Sequence, residues 1–450
     1  MSSSTISTKI QQLLERVLLI SVEKLETLAE IGDLASFETE LRALGNEFLT
    51  KTAEVILTEV SEKIAPSLSK AGSLKGLGRY EKRSLKIRLF TGQTIQVPSL
   101  YARKKPLNYT GKRHLLALHW GIHKQCSPCY LSQICSISML VPSFELAHQL
   151  LDIQGISYDS ESLRKLVLSV SDTCKSHQAT LTKKPNESLA GKRVVISLDG
   201  GRTRCRQSTN TRNKAGNETF TTNWNEPKMF VISTLNEEGQ TEKENVIYGT
   251  MFGVEDIFDL LASHLTVLDI TMAKSIQIIA DGAPWIWNRT QELLLNLGVA
   301  AEKITEALDY YHAAQHLSDL LKQLPKRKVK KENLITLMKN LLWKGDIDEI
   351  VSQFNQLFTK KTKVIERDIH YFTKHKNRMQ YAHFQQHKIL LGSGIMESGI
   401  RRVINLRFKN SSSFWVQQNV EGLFFLRSSF LAGRWDNVMN NFINLCKGHI

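Results

Sequence analysis

The chain has 450 residues, more than one ordinary hydrophobic core accommodates, so two or three domains are expected. Hydrophobic residues make up 42% and charged residues 23%, a globular composition that excludes a disordered chain. Lys and Arg outnumber Asp and Glu by 59 to 44, and the resulting net charge of +15 points to a polyanionic partner, most often nucleic acid. No apolar run reaches the roughly 18–20 residues that cross a bilayer. The apolar patch near the start is interrupted or flanked by Glu15, Arg16 and Glu23, with no small-residue cleavage site after it, so no signal peptide is expected. Six cysteines make no disulfide framework, and a cytoplasmic location with no membrane partner is expected.

Residues 5–70 place apolar side chains at three- and four-residue spacing, beginning with Ile10, Leu13, Leu14, Val17 and Leu18, and predict two or three amphipathic helices. The Gly/Ser/Lys-rich stretch Ser67–Gly78 reads as a linker. Ser84–Arg103 alternates about a central Thr-Gly and predicts a hairpin. Cys126 and Cys129 form a Cys-x-x-Cys that, with Cys135, suggests zinc ligands. The residues near enough to complete a set, His114, His119, His123 and Cys135, match no standard zinc spacing. In Ser143–Val170, Ser143 caps a first helix, Gly155 breaks it and Ser160 caps a second, the pattern of a helix-turn-helix and equally of any helical hairpin.

After residue 190 the period changes. Val194–Asp199, Lys228–Leu235, Glu244–Gly253 and Ser275–Asp281 read as strands, and Val254–Leu268 and Arg289–Gly298 as helices. Ile304–Leu324 is a short strand feeding a helix. Strands alternating with helices predict an α/β domain with a mixed sheet. Residues 318–390 look helical and polar, and read as an insertion ahead of the last helix. Lys322–Lys331 within it carries six positive charges and no negative one.

Asp199 and Asp281 each end an apolar strand and each precede glycine. If those strands are neighbours, both carboxylates emerge at the sheet edge where open α/β folds bind ligands. Two such carboxylates repel each other unless a cation lies between them, and a hard divalent ion, Mg²⁺ or Mn²⁺, suits oxygen ligands. Leu390–Trp415 offers a third acid: Ser393 caps a helix, Glu397 falls in its first turn, and Arg401 follows one turn on, with Arg402, Arg407 and Lys409 beyond. Taken singly, a strand-end Asp before Gly is often a turn former and a first-turn Glu a dipole partner. Three acids in one α/β pattern beside basic residues fit a two-metal phosphoryl-transfer site.

The ordered set "SLDGGRTR", "ADGAPWIW", "LDYYHAAQHL" and "GSGIMESGIRRVINLRFK" resembles the DDE transposases of bacterial insertion sequences. It is most similar to the group with an "ADGAxWI" second motif and a "GSGxxES" third motif, which is related to Mutator-like transposases. The similarity covers residues 190–440 and is weaker before them. It implies an RNase H-like catalytic domain with a helical insertion, preceded by a helical DNA-binding region. The expected domains are 1–75 (helical), 76–180 (DNA-binding, with the helix-turn-helix near 143–170), 190–317 (first part of the core), 318–390 (insertion) and 391–450 (last part of the core).

By motif match the resemblance implies that Asp199, Asp281 and Glu397 are the catalytic acids, holding two Mg²⁺ or Mn²⁺ ions. Asp309 and His312 look like the acid-x-x-His element of Mutator relatives, and His312 then either holds the scissile phosphate or orients a carboxylate. Trp285 and Trp415 are either core aromatics or platforms for a flipped or single-stranded base. The implied partner is double-stranded DNA, at element ends and target. It is met by Arg202, Arg204, Arg401, Arg402 and the insertion's Lys326, Arg327 and Lys328, in a homo-oligomeric, nucleoid-associated enzyme that cleaves element ends and joins them to target. A structure-specific nuclease of the same fold, or a non-catalytic DNA-binding protein derived from a transposase, are the alternatives.

Overall fold

Two long helices, Ser3–Glu30 and Leu34–Leu74, open the chain. Gly32 turns between them at φ +76°, and Asp33 caps the second by accepting the Ser36 N–H. The pairs Lys9–Glu59 and Lys24–Glu40 show that they run antiparallel. The second helix continues through the expected linker as far as Leu74. Two causes outweigh the linker-like composition. The Ser67 and Ser73 hydroxyls bond back to the carbonyls of Ile64 and Ser69, at 2.7 and 2.9 Å, instead of opening the turn. Leu68 is buried in the local core, and the Tyr80 ring and Leu115 close on Gly72.

The structure is a computed structural model and describes residues 3–107, 111–178, 187–324, 331–409 and 414–447. The chain divides into two units, Met1–Ser176 with Asp436–Ile450, and His177–Trp435. Among the described residues, no helix is long and apolar enough to cross a membrane.

In the first unit the expected hairpin is strands β1 (Gly78–Arg88) and β2 (Thr94–Lys104), paired Ile87↔Ile95 and Leu85↔Val97. These apolar residues face Leu68, Leu115, Leu116 and Leu118. Helix Pro128–Leu140 follows, capped by Ser127, and then the helix pair Phe144–Ile153 and Ser160–Ser176. Ser143 accepts the Leu146 N–H as expected, and Gly155 turns at φ +77°. The second helix is capped by Asp159, which accepts the Ser162 N–H at 2.9 Å, and Ser160 is its first helical residue. The carboxylate is the stronger acceptor at a helix N-terminus. Asp436–Lys447 packs within this unit, where Lys112 Nζ reaches the Cys446 carbonyl at 3.1 Å and Phe442 meets His123 edge-on at 5.3 Å.

The second unit is built on a five-stranded mixed sheet of order β7-β6-β3-β8-β9. Its strands are β3 (Arg193–Gly200), β6 (Lys228–Leu235), β7 (Thr241–Thr250), β8 (Ser275–Ala280) and β9 (Ile304–Leu308). β3, β6 and β7 form an antiparallel meander, and β8 and β9 run parallel to β3. Val194 to Leu198 are buried without interruption, because helices cover both faces of a central strand. Helix Val254–Val267 joins β7 to β8, Thr290–Asn296 lies between β8 and β9, and Tyr310–Lys322 follows β9. Lys331–Lys344, Ile347–Leu357, Lys363–His375 and Tyr381–Gln386 are all helical and stand between the sheet and helix Gly394–Ile400. The chain is thus a mixed α/β protein with a helical N-terminal region.

Candidate active site

The parallel register pairs Leu198 with Ala280, so the next residues, Asp199 and Asp281, leave adjacent strands at one sheet edge. Each carboxylate is fixed by the backbone of its own turn. Asp199 Oδ1 accepts the Gly200 N–H at 2.6 Å, and Asp281 Oδ1 accepts the Ala283 N–H at 2.9 Å. The Trp287 indole N–H donates to the Asp281 carbonyl at 2.6 Å and ties the loop to the following helix. Burial and the neighbouring Asp281 charge push Asp199 up to about 6.

The glycines of these motifs are where packing forbids a side chain. A Cβ on Gly282 would lie 2.2 Å from the Tyr371 ring, and one on Gly201 would lie 2.2 Å from Ile404 Cδ1. Gly392 would bring a Cβ to 2.8 Å from the Tyr311 ring. Tyr371 belongs to helix Lys363–His375, so the Asp281 turn rests directly on that helix. Tyr371 also stacks on His316 at 4.2 Å.

Asp309 directly follows β9 and is wholly buried. Its Oδ1 caps helix Tyr310–Lys322 by accepting the His312 N–H at 2.9 Å. Its Oδ2 accepts both the Ser393 N–H, at 2.5 Å, and the Ser393 hydroxyl, at 2.6 Å. Ser393 does occupy the N-cap position of Gly394–Ile400, but its hydroxyl makes no cap bond there. Burial pushes the Asp309 carboxyl up, and the donors from His312 and Ser393 outweigh it, holding the group well below the usual carboxylate range. His312 Nδ1 stands 3.5 Å from Asp309 Oδ1, long for a hydrogen bond but close for an ion pair. The Asp309 carboxylate raises the His312 pKa against the effect of burial, with Asp281 and Asp199 adding to it.

Among the described residues, one group of His, Cys, Asp and Glu has ligand atoms close enough to share an ion: Asp309, His312 and Glu397, all within 4.8 Å of one another. Buried Asp309, half-buried His312 and exposed Glu397 thus meet beside Asp199 and Asp281, whose charges His312 feels. Glu226 is a further acid at this edge; its Oε1 fills the space a Cβ on Gly200 would take, and it accepts from Lys228 Nζ at 2.5 Å. Lys228 lies 4.7 Å over the Trp285 ring.

The remaining candidates are spread out. Arg202 and Arg401 are exposed. Arg401–Asn405 is a π-helical turn directly after the Glu397 helix, and Arg402 Nε reaches Ser398 Oγ at 3.2 Å. Arg204 lies over the rings of Trp224 and Phe414, at 5.7 and 5.0 Å. Lys326, Arg327 and Lys328 lie outside the described residues. Trp285 packs edge-on to Phe258, and Trp415 against Phe408. Cys126, Cys129 and Cys135 gather no ligand set with His114, His119 or His123 among the described residues. Cys126 and Cys135 are buried, Cys129 is exposed, and burial pushes the Cys126 thiol up to about 11.

Sequence reading missed Glu226, Lys228, Tyr371, the Asp309–Ser393 tie and a hairpin, β4 (Thr203–Arg212) with β5 (Glu218–Asn225). The hairpin was signalled by polar alternation on either side of Asn213–Asn217.

No protein-family model matches the sequence, and no curated protein matches it. A solved structure, the Drosophila P element transposase strand transfer complex, is similar at 11% identity over 70% of this chain and 81% of that one, with a TM-score of 0.25.

Proposed function

We propose that this chain is a DDE transposase that cleaves element ends and joins them to target DNA by phosphoryl transfer, with Asp199, Asp281 and Glu397 as its acids. The observation that carries the reading is the Leu198–Ala280 register, which sets Asp199 and Asp281 side by side at one sheet edge, beside a His312 that also meets Glu397. An RNase H-like core over 190–317 and 391–450, with 318–390 as a helical insertion, is supported by the mixed sheet and by the run of helices preceding Glu397.

The donor set fits hard divalent cations. Half-buried Asp199 beside Asp281 is a pair of like charges that a cation between them would relieve, and every acid offers oxygen ligands. Asp199, Asp281 and Glu397 would hold Mg²⁺ or Mn²⁺, two ions in the full reading. Bound there, the ions would neutralise charge developing on the phosphate and lower the pKa of the attacking hydroxyl or water.

The chain's own residues do the positioning. Asp309 anchors Ser393 and so fixes where Glu397's helix begins. His312, held toward its protonated form by Asp309, presents a positive donor to a phosphate oxygen. Arg202, Arg204, Arg401 and Arg402 take the backbone on either side, and Lys326, Arg327 and Lys328 extend that contact along the DNA. The helix pair Phe144–Ile153 and Ser160–Ser176 reads element ends as a helix-turn-helix, and pairing two ends requires a homo-oligomer.

The test is an assay with Mg²⁺, a plasmid carrying the flanking DNA of the native gene, and a separate set of pre-cleaved ends with target plasmid. End cleavage and end joining that both vanish in Asp199→Asn, with duplex binding retained, support the proposal. Cleavage without joining makes the chain a nuclease, and full activity in the variant removes Asp199 from the site.

A further inference from the structure

β3 and β6 are antiparallel neighbours that end on the pair Gly200↔Lys228, a junction that a two-residue turn would close. Instead the chain leaves the sheet and returns only after β4 and β5, which pair with each other as a separate two-stranded ribbon. The sheet does not need this ribbon. It springs from the residues next to Asp199.

Its register puts Arg204 opposite Trp224, Arg206 opposite Thr222 and Ser208 opposite Phe220, so all six share one face. Arg206 lies 5.7 Å over the Phe220 ring, and Phe220 meets Phe414 at 5.6 Å. These rings are exposed although they are large and apolar: Trp224 by 58%, Phe220 by 43% and Phe414 by 37%. The charges of the ribbon are Arg204, Arg206, Arg212 and Lys214 against Glu218 alone. The root is held on two sides. The Arg206 N–H donates to the Trp415 carbonyl at 2.8 Å, and the Trp415 N–H donates to the Arg204 carbonyl at 3.1 Å. Asn225 Nδ2 donates to Gln417 Oε1 at 3.2 Å.

We propose that this face binds an unpaired DNA strand, with Trp224 and Phe220 stacking on bases and Arg204 and Arg206 taking the phosphates between them. Exposed rings interleaved with arginines on a rigid support suit single-strand stacking. Reading a duplex groove calls instead for polar side chains aimed at base edges. The proposal rests on the DNA-processing reading for its choice of polyanion, and it gives that reading a place beside the Asp199 edge to hold a single strand.

The experiment is fluorescence anisotropy of the full-length chain with a labelled short oligo-dT and, separately, a labelled blunt duplex, in the absence of divalent ions. The proteins compared are wild type, Phe220→Ala/Trp224→Ala and Trp224→Phe, with far-UV circular dichroism and melting temperature to show that the variants are folded. The double variant is expected to bind oligo-dT roughly ten- to a hundredfold more weakly, the duplex within about threefold of wild type, and Trp224→Phe to retain most oligo-dT affinity. Wild-type Trp fluorescence should be quenched by oligo-dT, and less so in the double variant. Unchanged oligo-dT affinity in the folded double variant overturns the proposal, as does an equal loss for duplex and single strand. A chain that binds oligo-dT through the ribbon but never cuts DNA keeps the proposal and overturns the transposase reading. A chain that cuts DNA while its double variant binds oligo-dT normally does the reverse, and a wild type that binds neither DNA overturns both.

Discussion

One oxygen of Asp309 accepts two bonds from Ser393, from its backbone N–H at 2.5 Å and its hydroxyl at 2.6 Å. The end of β9 and the start of the Glu397 helix, far apart in the chain, are thereby joined through one buried carboxylate. Ser393→Ala removes the hydroxyl bond and leaves the backbone one. It should lower stability by about 1.5–3 kcal/mol, the worth of a hydrogen bond to a charged group. Asp309→Ala leaves two buried Ser393 donors and a helix N-terminus unsatisfied and should cost more. Urea titration of the two variants measures the difference, and equal, small losses would show the tie to be slack.

Asp199→Asn should abolish metal-dependent cleavage while stabilising the metal-free protein at neutral pH. The native carboxyl is pushed up to about 6 by burial and by Asp281, from an ordinary value near 3.8. A raised acid contributes stability that is present below about pH 4 and is lost as the pH rises through 6. The amide removes that loss, on the order of 2 kcal/mol at pH 7.5. Mg²⁺ should raise the melting temperature of the wild type and leave that of the variant nearly unmoved. A variant that melts below the metal-free wild type at pH 7.5 contradicts the repulsion on which the site is argued.

Gly282→Ala should destabilise the chain by about 1–3 kcal/mol through overpacking, since its Cβ would meet the Tyr371 ring at 2.2 Å. The same push falls on Asp281's turn, so activity should drop more than stability predicts. Combining it with Tyr371→Ala restores space, and the double variant should be less damaged than the sum of the two single ones. Additive losses would place the strain elsewhere.

Acid should unfold the second unit through its buried histidines. His264 stacks on Tyr248 at 4.6 Å with Phe230 edge-on at 5.7 Å, and burial, helped by Arg434, holds it down to about 3. The unfolded chain takes up the proton near pH 6.5, so the stability His264 confers is complete above that and is lost as the pH falls toward 3. About 2 kcal/mol should disappear between pH 7 and 5 on its account. His375, held down to about 4, acts in the same sense. Melting curves of His264→Phe against pH should be flatter than those of the wild type over that window.

The strands and helices of the second unit were legible because uninterrupted apolar runs such as Val194–Leu198 have no solvent face to confuse their period. The same local signals exposed Asp199 and Asp281, each at a run's end. Other relationships were not legible, because they depend on contacts across the fold. Ser393 has the composition and place of a cap, and only the arrival of Asp309 turns its hydroxyl elsewhere. Ser67–Leu74 has linker composition, and only the neighbours Tyr80 and Leu115 make it helical. Tyr371 gives no sign in the sequence of standing against Gly282, since its helix is placed by tertiary packing rather than by any motif.

The Glu397 helix lies beyond the whole run of helices from Lys331 to Gln386 in the order of synthesis. On the ribosome, Asp199 and Asp281 therefore emerge long before Glu397 does. On the proposed transposase reading, a fragment that stops within the helices between Lys331 and Gln386 carries Asp199 and Asp281 without Glu397, and should make no cuts in DNA.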